Sequence, residues 1–416
     1  MQMNIEWKIL MNSFKIPKIR FMNFNNNWKY IMLGEISNSI EYGLNAAAKD
    51  FDGIHKYLRI TDIDDSSRLF LTDKLSSPDV NFTEEDYKNY KLQKNDLLFA
   101  RTGASVGKTY LYRESDGEVY YAGFLIRARL RDSFDGNFVF QQTLTDKYKQ
   151  FIEITSQRSG QPGVNGKEYG EWKIGMTSYH EQSAIGSLFR TLDDLLVSYK
   201  DNLTNYQSLK ATMLSKMFPK AGQTVPEIRL DGFEGEWKSD TFESYLTESR
   251  ILGDSGLDAK KITVKLWGKG VVEKEEKYAG SSNTQYYIRK AGQFIYSKLD
   301  FQNQAFGIVP TELDGYQSTL DLPTFDVKGI DTKFLLEYVM RREFYEYQGL
   351  IANGSRKAKR IHPDDFLSMP VRIPSLAEQQ AIGVYFSNLD QLITSYQGKI
   401  TQLDTLKKKL LQDMFI

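Results

Sequence analysis

EQSAIGSLFRTLDDLLVSYKDNLTNYQSLKATMLSKMF, residues Glu181 to Phe218, returns 197 positions later as EQQAIGVYFSNLDQLITSYQGKITQLDTLKKKLLQDMF, residues Glu378 to Phe415. Seventeen of the 38 aligned pairs are identical, where unrelated segments of average composition would share roughly two. The chain is an internal duplication. In the first copy the apolar positions step by three and four: Ile185, Leu188, Leu192, Leu195, Tyr199, Tyr206, Leu209 and Met213. The second keeps the step with Ile382, Tyr385, Leu389, Leu392, Tyr396, Leu403, Leu406 and Leu410. A 3.5-residue period held this long predicts two helices whose stripes face each other in a coiled coil. Asn202 and Lys399 interrupt the stripe at equivalent places, and one polar seam residue lowers stability while fixing register. The expected seam therefore includes Ile185, Leu192, Tyr199 and Asn202 against Ile382, Leu389, Tyr396 and Lys399. At about 1.5 Å per residue each helix spans roughly 57 Å, the length of a spacer.

A second pair of segments extends the repeat beyond the helices. PKIRFMNFNNNWK, Pro17 to Lys29, matches PEIRLDGFEGEWK, Pro226 to Lys238, with Pro, Ile, Arg, Phe, Trp and Lys at the same spacing. Between these landmarks the halves share little visible sequence. KYLRITDI, DLLFARTG, VYYAGFLIRARL, KKITVKLWG and GQFIYSKL have the alternation or β-branched content of strands, while FVFQQTLTDKYKQFIEIT and TKFLLEYVMRREFYEYQGL have helical spacing. The expected class is α+β: two mixed α/β domains and two long antiparallel coiled-coil helices, related by an internal pseudo-twofold repeat. The expected boundaries are 1–29 for an N-terminal segment, 30–180 for the first domain and 181–218 for the first helix. Then come 219–238 for the linker and second opening, 239–377 for the second domain and 378–416 for the second helix.

Composition narrows the function. The 416 residues are 41% apolar, enough for two to three folded domains. The absence of a long apolar run or an uninterrupted apolar start predicts a cytoplasmic protein without a membrane span. Cysteine is absent and histidine is limited to His55, His180 and His362, so thiol catalysis is excluded and a metal site or bound cofactor is not expected. Lys plus Arg and Asp plus Glu both total 54, so no bulk field draws the protein to nucleic acid. Residues 30–180 carry 19 basic and 22 acidic side chains, which makes any DNA contact local or shared with partners.

Four segments suit DNA contact. Gly103-Ala-Ser-Val-Gly107-Lys108-Thr109 resembles a phosphate loop but has three residues between its glycines where four are needed, and YLYR after it reads as strand. A turn between strands, with Arg101 and Lys108 projecting, is the better reading. SQRSGQPGVNGK, Ser156 to Lys167, and NGSRKAKRIHP, Asn353 to Pro363, place cations and amides on glycine-punctuated loops just ahead of each helix. KLDFQNQ, Lys298 to Gln304, adds a run of amides. Lys and Arg neutralise phosphates, and Arg, Asn and Gln make paired hydrogen bonds to base edges. The candidates are Arg101, Lys108, Arg158, Gln161 and Lys167 in the first domain, and Lys298, Gln302, Asn303, Arg356, Lys357, Lys359 and Arg360 in the second. The carboxylate groups Asp62, Asp64, Asp65 and Glu84, Glu85, Asp86 lack ligand spacing and read as solvated turns. No catalytic motif is found.

Taken together, the EQ-x-A-I-G helix starts at Glu181 and Glu378, the two P-x-I-R…W-K openings and NDLLFARTGASVGKTYL, Asn95 to Leu111, resemble the specificity subunit of type I restriction–modification enzymes. The resemblance covers the chain beyond about Pro17. It implies that each globular domain is a target-recognition domain reading one half of a split site in double-stranded DNA. It also implies that the helices space the domains and dock two methyltransferase subunits, with restriction subunits joining to cleave DNA, and that the chain itself is non-catalytic. Residues Met1 to Ile16 have no counterpart in the second half, and the second domain lacks the GASVGK turn. A coiled-coil assembly scaffold whose domains bind proteins is the alternative that the residues leave open.

Overall fold

Both repeats are helical, over Tyr179–Lys216 and Leu376–Asp413, 38 residues each, in a computed structural model that describes residues 16–84, 87–158, 160–256, 258–275, 281–351 and 360–416. Each helix starts two residues before the repeated text and stops before its last apolar pair. Met217–Phe218 and Met414–Ile416 turn inward and are buried. The described residues up to Asp201, together with Gly398–Ile416, form one compact unit, and Asn202–Gln397 form another. Each long helix thus begins in one unit and ends in the other.

The two units use one plan. In the first, antiparallel strands lie in the order Ser37–Tyr42, Leu125–Leu130, Asp96–Ala100, Thr109–Leu111. In the second the order is Leu246–Glu248, Thr324–Val327, Phe294–Tyr296, Phe306–Ile308, again antiparallel throughout. The common topology survives where the letters do not, because strands buried along their length require apolar volume rather than particular residues. Each sheet is followed by two short helices, Gly136–Gln142 with Asp146–Thr155 and Thr332–Met340 with Arg342–Gln348. The single helical stretches read from sequence are each broken in two: at Thr145, which accepts from the Tyr148 N–H, and at Arg341, whose backbone is extended and makes no side-chain cap. Asp135 and Asp331 cap the starts of the first helices through the Phe138 and Phe334 N–H groups. The architecture is α+β.

The repeated motifs form a lock in each unit. Arg20 of the P-x-I-R opening donates two hydrogen bonds to Glu181, at 2.6 and 2.7 Å. Arg229 does the same to Glu378 at 2.8 and 2.7 Å. Both carboxylates are buried, and removing one partner from such a pair costs about 3–5 kcal/mol. Gln182 accepts from the Asp135 N–H and donates to the Thr177 carbonyl; Gln379 accepts from the Asp331 N–H and donates to the Pro374 carbonyl. Gly186 and Gly383 admit the capped helix starts, because a Cβ there would lie 2.3 Å from Asp135 Oδ1 or 2.8 Å from Asp331 Oδ1.

The cores repeat as well. Trp28, Phe138, Phe189 and Phe415 meet in the first unit, and Trp237, Phe334, Phe386 and Phe218 in the second. Within each unit the helix segments run in opposite directions. Phe189 faces Phe415, Asp193 bonds Lys407 at 2.5 Å and Tyr199 lies under Lys399 in the first. Phe218 faces Phe386, Lys210 bonds Asp390 at 2.7 Å and Tyr206 faces Tyr396 in the second. Of the expected seam residues, Ile185, Leu192, Ile382 and Leu389 are buried, Tyr199, Asn202 and Tyr396 are half-buried and Lys399 is exposed. Leu195 and Leu392, also placed on the seam by the heptad, are 38% and 40% exposed, whereas Phe189, Leu196 and Phe386 are buried. The first turns of each helix bury a second stripe against their own globular part, which rotates the burial away from a pure helix–helix seam.

Candidate nucleic-acid interface

In the first unit the candidate surface grows from the strand Asp96–Ala100. Asp96 is fully buried and takes two bonds from Arg129, at 2.8 and 2.9 Å, and the Tyr169 hydroxyl donates to the Ala100 carbonyl at 2.7 Å. The strand end is therefore rigid where Arg101 leaves it. The turn closes with Gly107 N–H on the Ala100 carbonyl and Val106 N–H on that of Gly103, and Gly103 and Gly107 take φ of +76° and +83°, the left-handed region that glycine adopts freely. The strand Thr109–Leu111 follows. A phosphate loop leads into a helix whose N-terminus holds the anion, so the nucleotide reading fails here.

Arg101 and the Gln161 loop come together. Val164 N–H donates to the Arg101 carbonyl and Gly103 N–H to that of Pro162, at 2.9 and 3.0 Å; the side chain of exposed Gln161 passes over Gly103. The Arg101 guanidinium sits 5.2 Å from the Tyr42 ring centre and 5.7 Å from that of Phe124, contacts worth about 0.5–2 kcal/mol each. Its Nε is buried without a hydrogen-bond partner, and no carboxylate among the described residues pairs with it. The three side chains line a cleft of about 630 Å³ with Asn45, Arg59 and Thr61. Arg59 is committed to Asp62 through two 2.9 Å bonds. An arginine held between rings with its donors unspent is preorganised for a planar acceptor pair.

The other first-unit candidates are placed differently. Lys108 does not project beside Arg101: it is 8% exposed, with Nζ 2.7 Å from Asp65, because the strand that starts at Thr109 turns its predecessor inward. Arg158 is exposed, caps the Thr155 and Gln157 carbonyls and pairs with Glu168. Lys167 is exposed on the short helix Gly166–Gly170.

In the second unit the corresponding turn, between Phe294–Tyr296 and Phe306–Ile308, carries KLDFQNQ. Lys298 N–H donates to the Asp321 carbonyl, and the Lys298 carbonyl accepts from Ile361 N–H. Arg360 Nε is 4.0 Å from Asp321, so Lys298 and Arg360 share one edge. Burial holds the Lys298 ammonium below the usual lysine range. Gln302 is exposed, and Asn303 donates to Asp300 at 3.3 Å. Arg356, Lys357 and Lys359 lie outside the described residues. Sequence reasoning missed Tyr42, Phe124 and Trp267, each an exposed aromatic ring beside a candidate loop; a large aromatic next to a glycine turn was the available signal. Among the described residues no group of three or more His, Asp or Glu is placed to hold a metal ion, and no helix is long and apolar enough to cross a membrane.

No family model matches the chain. It is 20% identical to the type I restriction enzyme MjaVIII specificity subunit of Methanocaldococcus jannaschii, over 97% of this chain and 96% of that protein. It is likewise 20% identical to the putative type I restriction enzyme MjaX specificity subunit of the same organism, over 92% of each. Its fold matches the crystal structure of the type I restriction–modification S subunit from M. genitalium with a TM-score of 0.61 and 15% identity, covering 97% of this chain and 99% of that one. The resemblance read from the repeated motifs is therefore met again across nearly the whole length, in sequence relatives and in fold.

Proposed function

We propose that the chain is the non-catalytic, sequence-specific DNA-recognition subunit of a cytoplasmic type I restriction–modification complex. The observation that carries this is one locked frame built twice around surfaces that present different residues. Arg101 and Gln161 stand on the first, and Lys298, Gln302, Asn303 and Arg360 on the second. A homodimeric reader binds a palindrome because its half-sites are identical; two unlike surfaces on like frames read two unlike half-sites with an unread gap. The two long helices act as an antiparallel coiled-coil spacer, docking two methyltransferase subunits, with restriction subunits completing the complex. The near-neutral first domain draws much of its phosphate contact from those subunits. Arg101 reads a guanine through O6 and N7, the commonest arginine–base pairing.

The test is base-resolution mapping of methylated adenines in host DNA, with and without this chain. A split asymmetric motif that disappears on deletion is the expected result, and exchanging residues 30–180 for those of another such subunit should change one half only. Arg101→Ala should relax one position of that half by about 1–3 kcal/mol of discrimination and leave the other half intact. A motif that survives deletion would remove the recognition role.

A further inference from the structure

The hairpin Ile262–Val264/Val271–Glu273 in the second unit turns through Lys265, Leu266, Trp267, Gly268, Lys269 and Gly270. Trp267 is 58% exposed, whereas Trp28, Trp172 and Trp237 are almost wholly buried. Its φ is 60°, a left-handed conformation that a side chain with a Cβ disfavours and that a bulky residue rarely keeps. The tip is braced from two sides. The N–H groups of Trp267 and Gly268 donate to the carbonyls of Asn303 and Gln304 at 2.8 and 3.0 Å, and Gln304 is itself left-handed at φ 53°. Behind the tip, Met340 packs so closely that a Cβ on Gly268 would fall 2.1 Å from its terminal methyl. A loop free to relax would fold the indole down; this one is fixed with the ring in water. Lys265 and Lys269 beside it are exposed, and no carboxylate among the described residues pairs with either.

We propose that Trp267 is an aromatic wedge that enters a groove of duplex DNA at the half-site read by the second unit, with Lys265 and Lys269 on the flanking phosphates. The proposal rests on the DNA-recognition reading and names a contact outside the loops that the sequence marks. Apolar side chains inserted at a base step part the stack and bend the duplex, and an indole stacks on any base. Unpaired lysines on either side select a polyanion, and their phosphate contacts hold the ring at one step. The brace ties the wedge to Asn303 and Gln304, so wedge and amide loop meet the DNA as one rigid piece.

The test uses the full chain with whatever subunits co-purify, titrated with a duplex carrying the mapped motif while fluorescence anisotropy and tryptophan emission are read together. Emission should fall on binding, because stacking on bases quenches indole. Trp267→Phe should abolish that fall and keep affinity within about threefold, since phenyl still stacks. Trp267→Gly fits φ 60° without strain, so its melting curve should not worsen, and it should lose about tenfold or more in affinity. If the duplex binds with emission unchanged and Trp267→Gly binds equally well, the wedge is wrong and DNA recognition stands. If Trp267→Gly instead sheds a co-purifying protein and keeps DNA affinity, the tip is a protein contact. If the wild-type assembly does not bind the motif duplex, the recognition reading fails and takes the wedge with it.

Discussion

One pair of equivalent residues shows how the two units diverged while sharing a frame. In the first unit Gln141 donates to Asp193 at 2.8 Å, and Lys407 reaches the same carboxylate. In the second the corresponding three are Glu337, Asp390 and Lys210, with Lys210 at 3.2 Å from Glu337 and 2.7 Å from Asp390. Glu337 Oε2 is buried without a partner, and burial, opposed by Lys210, raises its carboxyl above the ordinary 4.5. A raised carboxyl pKa means that the folded state holds a proton the unfolded state gives up. Its contribution is fully present below pH 4.5 and is lost as pH rises through the folded-state value. Glu337→Gln restores the arrangement of the first unit. It should stabilise the second unit by about 1 kcal/mol at neutral pH, because a neutral amide replaces a desolvated carboxylate while the number of hydrogen bonds stays the same. It should also flatten the decline of stability from mildly acidic to neutral pH, as urea melts across that range would show. A variant less stable than wild type at neutral pH would mean that the Lys210 pair outweighs the buried charge.

At the scale of elements, the glycine of each EQ-x-A-I-G start sets how a short helix meets a long one. Helix propensity predicts that alanine for glycine in a helix interior gains about 1 kcal/mol. The packing predicts the opposite sign, because a methyl at Gly186 meets Asp135 Oδ1 and the Phe138 N–H that Asp135 caps. Gly186→Ala should therefore destabilise the first unit by about 2 kcal/mol, from crowding and a disturbed cap. Gly383→Ala should do the same to the second, with a milder clash from Asp331 at 2.8 Å. Thermal melting of either variant above the wild-type midpoint would contradict this account of the motif. Such a position is legible in sequence as a repeated glycine, but its reason is not, since the partner atoms lie 51 residues earlier in the first unit.

At the scale of the whole molecule, each unit is finished by residues from the far end of a helix that begins in the other. Met414, Phe415 and Ile416 belong to the core of Trp28, Phe138 and Phe189, so a chain stopped after Asp413 should lose protection in the first unit. Hydrogen exchange should accelerate across Gly136–Gln142 and Lys173–Met176 and remain unchanged across Thr332–Met340. These three residues bury side chains worth about 1.5–3 kcal/mol each. Sequence by itself determined the duplication, the two long helices, the strand-bearing interiors and the loops that carry Arg101, Gln161 and KLDFQNQ. Identity and periodicity are written in local order, and turn residues mark loops wherever they stand. Only the tertiary structure decided that Arg20 closes on Glu181 across 161 residues and Arg229 on Glu378 across 149, that Lys108 turns inward, and that Tyr42, Phe124 and Trp267 flank the candidate surfaces. Those outcomes depend on which distant groups burial brings together, and no local period in the chain encodes that.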